Sequence, residues 1–312
     1  MTLTPDDPAG DAQSKFEAME ADRAGQFGNA PPPPPREPLK PEQKWSLRLA
    51  FTLALLCPVF FAVAALGTRF GLWEYTFGLG VMSFQWGPIL LMCALAMGVI
   101  SLVLTAIRPP RRGIILALVA VLIPLLMLGW MKGKLSVAME LPPIHDVQTD
   151  WSRPISLPET NIALREANGW NDVLADPVVS DAAAGRWPDL VGERVADLQK
   201  QAYPDIKPLL VEAPPEVILE FAEGVAQKQG WTIQSVDEQA GRIHATSTST
   251  WFGFTDDIVI RVTPQGVAGS RIDIRSVSRV GLSDLGANAM RVKGFIDDAH
   301  MAVRIIGESS EG

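Results

Sequence analysis

The sequence predicts three transmembrane α-helices followed by an α+β domain, in which an antiparallel sheet of about five strands carries helices on one face. Three apolar stretches each approach the roughly 20 residues that a helix needs to cross a bilayer. After them, strand patterns and two amphipathic helix patterns follow in the order β-α-β-β-β-β-α. The chain therefore divides into residues 1–44, 45–134 and 135–312.

The N-terminal segment, residues 1–44, is predicted to be a disordered cytoplasmic tail. It is acidic, rich in Ala and Gly, and contains a proline run at residues 31–35. Such a composition cannot bury enough apolar surface to offset the entropy lost on folding. The proline run favours extended polyproline II structure, and residues 11–23 favour a short helix. A spacer and a docking site for a cytoplasmic partner are both open interpretations of this tail.

The membrane domain, residues 45–134, is predicted to span the bilayer at about residues 47–68, 87–107 and 113–131. None of the three stretches shows the polar face that a helix at the surface of a soluble core would show. The first stretch is too long, and lies too far from the N-terminus, for a cleaved signal peptide. We therefore expect three spanning helices that contact the lipid bilayer.

The Lys and Arg residues beside the spans predict the orientation, because cytoplasmic loops carry the excess of positive charge. One side has six of them: Lys40, Lys44, Arg48, Arg108, Arg111 and Arg112. The other side has three: Arg69, Lys132 and Lys134. The sequence therefore predicts a multi-pass protein of the cell inner membrane. Its N-terminus is expected to be cytoplasmic and its C-terminal domain extracytoplasmic, hence periplasmic in a Gram-negative bacterium.

The connection between the first two spans is rich in aromatic side chains, which favour the headgroup layer of a bilayer. They are Phe70, Trp73, Tyr75, Phe77, Phe84 and Trp86. This composition is typical of an interfacial belt, and a loop that lines a ligand site is the alternative.

The C-terminal domain is predicted to have an irregular part, residues 135–205, which packs against a compact part, residues 206–306. Prolines interrupt the irregular part. In the compact part, Pro214 and Pro215 open a helix that Gly230 ends, and Asp284 caps the last helix. The predicted strands are residues 207–211, 231–236, 242–250, 257–263 and 270–279.

Composition and charge exclude several classes of function. The formal net charge is −8, and residues 135–312 hold 26 Asp+Glu against 15 Lys+Arg. No nucleic-acid partner is expected, because neutralising phosphates requires clustered Lys and Arg.

Neither the cysteines nor the histidines have metal-site spacing, and no Gly-x-Ser-x-Gly motif is present. No cofactor, metal or catalytic residue is therefore predicted. The residues considered are Cys57, Cys93, His145, His244 and His300.

Nine polar residues near one end of the predicted sheet form the candidate site. They are Asp256, Asp257, Arg275, Ser276, Ser278, Arg279, Asp284, Asn288 and Arg291. One interpretation is a site for an anionic small molecule or a lipid headgroup, bound by free N–H groups at the helix N-terminus and by an Arg fork. The other is a buried Arg–Asp network that fixes the helix on the sheet.

Strand alternation separates the two arginines that matter most in this cluster. Arg275 alternates with Ile272 and Ile274, so it is expected on an open face of the sheet, where its removal should cost little stability. Arg279 lies at the strand end, where an ion pair with an acidic neighbour is expected, so its removal should be costly. The possible acidic partners are Asp256, Asp257 and Asp284.

The turn between the third and fourth predicted strands holds three large aromatic residues, Trp251, Phe252 and Phe254. They are interpreted either as a small hydrophobic core at the sheet edge or as a contact tip that faces the membrane or a partner.

Four segments resemble motifs of a known family. They are Pro-Pro-Ile-His-Asp-Val-Gln-Thr-Asp at residues 142–150, Tyr-Pro-Asp-Ile-Lys-Pro-Leu at 203–209, the polar strand and aromatic turn at 241–257, and the polar run at 273–288. In this order they cover roughly residues 140–306 and resemble the domain of unknown function 1499 family. The resemblance implies a membrane-anchored envelope protein and does not imply a reaction.

Two functions from different classes follow from these observations. The first is a non-catalytic binding or assembly module of the cell envelope, whose partner is an envelope protein, a lipid headgroup or an anionic small molecule. The alternative is an enzyme that acts on an envelope substrate through the Arg/Asp/Ser cluster.

Overall fold

The computed structural model describes residues 14–23 and 37–310, with only the backbone described for residues 302–310. Residues 14–23 form helix α1, within the part of the tail where a short helix is predicted. The proline run at residues 31–35, with its predicted polyproline structure, lies outside the described residues.

Three long apolar helices follow, α2 (Pro41–Arg69), α3 (Gly87–Ile107) and α4 (Ile114–Glu140). A π-helical segment, Thr76–Trp86, leads directly into α3. All three helices are long and apolar enough to cross a membrane, which confirms the three predicted apolar helices. Helix α4 continues to residue 140, well past the predicted end of its span, and so reaches the C-terminal domain.

Small residues bring the three membrane helices together. Ala50 and Ala54 of α2 and Ala120 of α4 are fully buried against one another. A side chain at Gly98 of α3 would meet the backbone oxygen of Ala120 at 2.8 Å, so the two helices cross closely only because this residue is glycine. Large aliphatic side chains such as Leu126 point outward, as expected for a surface that faces lipid tails.

Polar contacts tie the start of α2 to the turn between α3 and α4. Gln43 Nε2 donates a hydrogen bond of 2.9 Å to the backbone oxygen of Arg108. Arg112 Nη1 donates to the backbone oxygen of Glu37 at 2.9 Å, and Arg108 pairs with Glu42 at 3.1 Å. The two positively charged segments therefore lie at the same end of the membrane domain.

The C-terminal domain contains a six-stranded antiparallel sheet in the order β1-β6-β5-β4-β3, with β2 paired to the other half of the same edge of β6. Five of these strands were predicted. The additional strand, β1, is defined by its pairing with β6 rather than by a pattern in its own sequence. The strands are β1 (Asp146–Gln148), β2 (Leu209–Val211), β3 (Thr232–Asp237), β4 (Arg242–Thr248), β5 (Thr255–Gln265) and β6 (Gly269–Ser278).

Two helices, α5 (Glu159–Asn168) and α6 (Val195–Ala202), interrupt the irregular segment between β1 and β2. Two short 3₁₀ turns lie between them, at Asp181–Ala183 and Pro188–Leu190. Helix α6 joins the main core through Val195 and Leu198.

Helices α7 (Pro215–Lys228) and α8 (Ala287–Ser310) pack on one face of the sheet, as predicted. The main core lies between them and the alternating apolar residues of the strands, and Trp231 stacks on Phe295 of α8 at 5.6 Å between ring centroids. Burial of these side chains supplies most of the driving force for folding. Fully buried members include Ile243, Ile258, Ile260, Ile274 and Val292.

The second face of the sheet is covered as well, by part of the irregular segment. Ile155 and Leu157 from this segment pack on Val259 and Val277 of the sheet. The expectation that Arg275 lies on an open face is therefore wrong, since this side chain is only 1% exposed. The strand alternation correctly indicates the face to which Arg275 points. The segment that covers this face lies more than a hundred residues earlier in the chain, so the strand pattern does not show that the face is covered.

Candidate functional site

The nine predicted site residues lie at one end of the sheet, where β5 begins and β6 ends. The strand register pairs Asp256 with Ser278 and Asp257 with Val277, and α8 begins beside them. The sheet nevertheless separates the nine residues, because alternate residues of a strand point to opposite faces. On the helix side lie Asp256, Ser276, Ser278, Asp284, Asn288 and Arg291, and on the second face lie Asp257, Arg275 and Arg279.

A buried amide, Asn288, organises the helix-side group. It accepts a hydrogen bond from Ser276 Oγ at 2.6 Å. Its Nδ2 donates to Ser278 Oγ and to the backbone oxygen of His145, both at 2.9 Å. The first turn of α8 is thereby joined to β6 and to the residue before β1.

Arg291 and Asp256 extend this group towards solvent. Arg291 Nη2 pairs with Asp256 Oδ2 at 2.7 Å, and Arg291 Nη1 donates to Ser276 Oγ at 3.0 Å and also to the Asn288 side chain. The hydroxyl groups of Ser276 and Ser278 are therefore both held by the Asn288 amide, and no histidine base hydrogen-bonds to either of them among the described residues.

Asp284 caps α8, as its position in the sequence predicts. Its two carboxylate oxygens accept the backbone N–H groups of Gly286 at 2.8 Å and Asn288 at 2.6 Å. Burial raises the pKa of Asp284 to about 6, and nearby Asp256 adds to this rise, while the two accepted hydrogen bonds oppose it. The carboxyl group is thus poised to change charge in mildly acidic conditions.

On the second face, Asp257 lies between two arginines and is itself 1% exposed. Arg165 Nη2 and Arg279 Nη2 each donate to its carboxylate at 2.8 Å. His244 Nε2 lies 3.5 Å from the same group without forming a hydrogen bond. Burial alone would raise the pKa of Asp257, but the neighbouring His244 side chain, the hydrogen bond from Arg279 and the positive charges of the two arginines hold it well below its usual range.

Arg165 is the member of this group that sequence reasoning missed. It comes from α5, is 2% exposed, and also donates to the backbone oxygens of Asn171 at 2.6 Å and Val277 at 3.1 Å. It sits in a short helix whose other residues are mostly exposed, so nothing in the local pattern distinguishes it from a solvated surface arginine. Only the partner carboxylate, distant in the sequence, shows its role.

Arg275 forms a second buried pair on the same face. Its Nε and Nη2 donate to the two oxygens of Asp146 at 2.9 and 2.5 Å, and its remaining donors reach the backbone oxygens of Ile155 and Leu174. The indole of Trp151 lies 5.5 Å from the guanidinium. Arg275 therefore joins β6 to β1 and to the covering segment, and it has no free edge with which to bind a ligand.

The aromatic turn lies against the segment that joins α2 to α3. Phe252 and Phe254 stack on each other at 5.6 Å, and Phe254 meets the edge of Tyr75 at 5.9 Å. Arg69, the last residue of α2, donates from Nη1 to the backbone oxygens of Ser249 at 2.7 Å and Thr250 at 2.8 Å. The turn therefore contacts the end of a membrane helix.

Two cavities lie away from the polar cluster. One, of about 490 Å³, is a groove between α7 and α8, and the other, of about 250 Å³, lies between α8 and the residues that follow α6. Among residues 14–23 and 37–310, no group of three or more His, Cys, Asp or Glu side chains is placed to hold a metal ion.

The geometry defines a membrane protein with three apolar helices and a C-terminal α+β domain that is held together by buried ion pairs. Residues 147–298 match the family described as "Protein of unknown function (DUF1499)", which confirms the resemblance of the C-terminal domain to that family. The match covers nearly the whole sheet together with α5–α7 and the first half of α8. No curated protein matches the chain.

The first prediction concerns the buried pairs. Arg275→Ala should destabilise the C-terminal domain by roughly 3–5 kcal/mol, because it leaves the buried Asp146 carboxylate without its partner. Arg165→Ala should cost less than Arg275→Ala, because Arg279 still pairs with Asp257. Arg194→Ala removes an exposed ion pair with Asp176 and serves as the matched control, for which no measurable loss is expected. Urea unfolding of the detergent-solubilised full chain, followed by tryptophan fluorescence, measures all three. A loss at Arg275 as small as that at Arg194 would contradict the role assigned to the pair.

The second prediction concerns Asp284. A carboxyl group whose pKa is higher in the folded state than in the unfolded state stabilises the fold below the unfolded pKa and loses this contribution as pH rises through the folded pKa. For Asp284 the loss falls between pH 3.8 and about 6, and it amounts to at most about 3 kcal/mol for a shift of about two units. Asp284→Asn, which keeps a capping oxygen but cannot ionise, should remove this component.

The measurement for Asp284 is the difference in unfolding free energy between the variant and the unmodified chain across that pH range. Titrating groups that do not interact with Asp284 cancel in this difference, so it should shift in favour of Asp284→Asn as pH rises. A difference that stays constant with pH would show that Asp284 does not titrate there.

Proposed function

We propose that the protein is a non-catalytic binding or assembly module of the cell envelope, anchored in the inner membrane. The observation that carries this proposal is that every one of the nine candidate polar residues is engaged inside the chain, by an ion pair or a hydrogen bond. A reaction centre needs a nucleophile or an acid–base group that is free to meet a substrate. The cluster instead connects α5, β1, β5, β6 and α8, which is a structural role.

The groove between α7 and α8 is the surface proposed to bind the partner. Its volume, about 490 Å³, lies in the range of roughly 300–1,000 Å³ that is usual for binding pockets. Val217, Phe221 and Val225 supply an apolar floor, with Lys228 and Asp298 at the side. An apolar groove between two helices suits an amphipathic helix of another protein. An envelope protein is therefore favoured over an anionic small molecule or a lipid headgroup held by the polar cluster, whose arginines are already paired.

The proposed orientation places the N-terminus in the cytoplasm and the C-terminal domain outside it. Its support is the excess of positive residues at the α2 start and the α3–α4 turn, which the contacts of Gln43 and Arg112 hold at one end of the helices. The opposite end has fewer such residues, and the C-terminal domain follows from it.

The third prediction tests this orientation. A C-terminal alkaline phosphatase fusion should be active, because the enzyme needs an oxidising compartment to form its disulfides. A C-terminal green fluorescent protein fusion exported through the general secretion route should be dark. Bright fluorescence together with an inactive phosphatase would reverse the assigned topology.

The fourth prediction tests the groove. A photo-crosslinking amino acid at Val217, which is 48% exposed in the groove, should give an adduct of discrete mass with an envelope protein in intact cells. The same amino acid at Val267, in the exposed β5–β6 hairpin, is the control and should give none.

A second variant makes the crosslinking test specific. Gly224 faces open space in the groove, so Gly224→Leu should fill the groove without straining the fold. It should abolish the adduct formed from position 217. Adducts that persist in Gly224→Leu, that form equally from position 267, or that form from neither position would contradict a docking role for the groove.

A further inference from the structure

We propose that the end of the C-terminal sheet around Trp251 lies within the lipid headgroup layer, so that the domain rests on the bilayer through this turn. The proposal concerns a different surface from the groove and does not depend on the binding role proposed for it.

The depth of α2 in the bilayer is the first step of the argument. Residues 49–68 contain no charged side chain. At 1.5 Å per residue they span about 30 Å, which equals the thickness of the hydrocarbon core of a typical bilayer. Arg69 follows immediately, so its guanidinium lies at the boundary between the acyl chains and the headgroups.

The turn between β4 and β5 is fixed at the same depth. Arg69 Nη1 donates to the backbone oxygens of Ser249 and Thr250, at 2.7 and 2.8 Å. At Gly253 a side chain would meet the Cα of Arg69 at 3.2 Å, and the φ of this residue is +71°, so both the close approach and the backbone conformation favour glycine. The ring contact between Phe254 and Tyr75 holds the turn from its other side.

The side chains that this turn and the neighbouring loop expose are those that favour a headgroup layer. The indole of Trp251 is 61% exposed, and Phe70 and Leu72 of the loop after α2 are 71% and 72% exposed. Tryptophan favours this layer because its large ring is partly buried there while the N–H keeps a polar neighbour. Three large exposed apolar side chains beside the end of a spanning helix indicate lipid as the occupant of this surface.

The chain connection supports the same arrangement. Helix α4 enters the domain through residues 141–145, which lead into β1 at the end of the sheet where β6 finishes. Both attachments to the membrane domain are therefore at one end. Strand β5 runs for 11 residues from this end, about 33 Å at 3.3 Å per residue, and carries the hairpin with Val267 away from it.

Quenching by lipids that carry a nitroxide on the headgroup tests the proposal. The full chain, with Cys57→Ala and Cys93→Ala to remove its two cysteines, receives Trp251→Cys or Val267→Cys and an environment-sensitive fluorophore, and is placed in phospholipid nanodiscs. Leu72→Cys is the positive reference, because it lies in the loop that joins two spans. The label at position 251 should be quenched to a similar extent as that at position 72, and several-fold more than that at position 267.

A water-soluble quencher, iodide, separates the other outcomes. Quenching of the label at position 251 by iodide but not by the lipid nitroxide would show that the turn faces water and would overturn the proposal. Protection from both quenchers would show that a protein covers the turn, and would overturn it as well. Equal lipid quenching at positions 251 and 267 would show that the domain lies flat, which contradicts contact through one end.

Discussion

The pairing of buried charges on the second face of the sheet is the constraint on which the C-terminal domain depends. A charge removed from water costs several kcal/mol unless an opposite charge and further hydrogen bonds compensate it. Asp257 meets this requirement with Arg165 and Arg279, and Arg275 meets it with Asp146. The Arg165–Asp257 and Arg275–Asp146 pairs join segments that are distant in the sequence, so the sheet can bury its polar face only when the irregular segment closes over it.

This constraint also explains how the domain is attached to the membrane helices. The polar cluster and the aromatic turn share one end of the sheet, and the same end receives the chain from α4. The buried pairs make that end rigid, while the hydrogen bonds from Arg69 connect it to α2. The groove of α7 and α8 therefore has a defined position relative to the membrane helices, which the proposed docking role requires.

Several elements could be predicted because their signals are local. An apolar stretch of the required length predicts each membrane helix, and the capping role of Asp284 follows from its place before an amphipathic pattern. Strand β1 was missed because its three residues are extended only through pairing with β6, which lies more than a hundred residues later in the chain. The position of Arg275 was missed because alternation tells which face a residue points to, but not whether another segment covers that face. Arg165 was missed because its partner, Asp257, lies 92 residues away in the chain.

The sequence by itself determined the three apolar helices, the order of the strands and helices in the compact part, and the concentration of polar residues near the start of α8. These depend on hydrophobic periodicity and on turn chemistry, which neighbouring residues specify. Only the tertiary structure decided which charges pair, which face of the sheet is covered, and where the aromatic turn lies. Those outcomes depend on contacts between distant segments, because the free energy of a buried charge is set by whatever surrounds it in space.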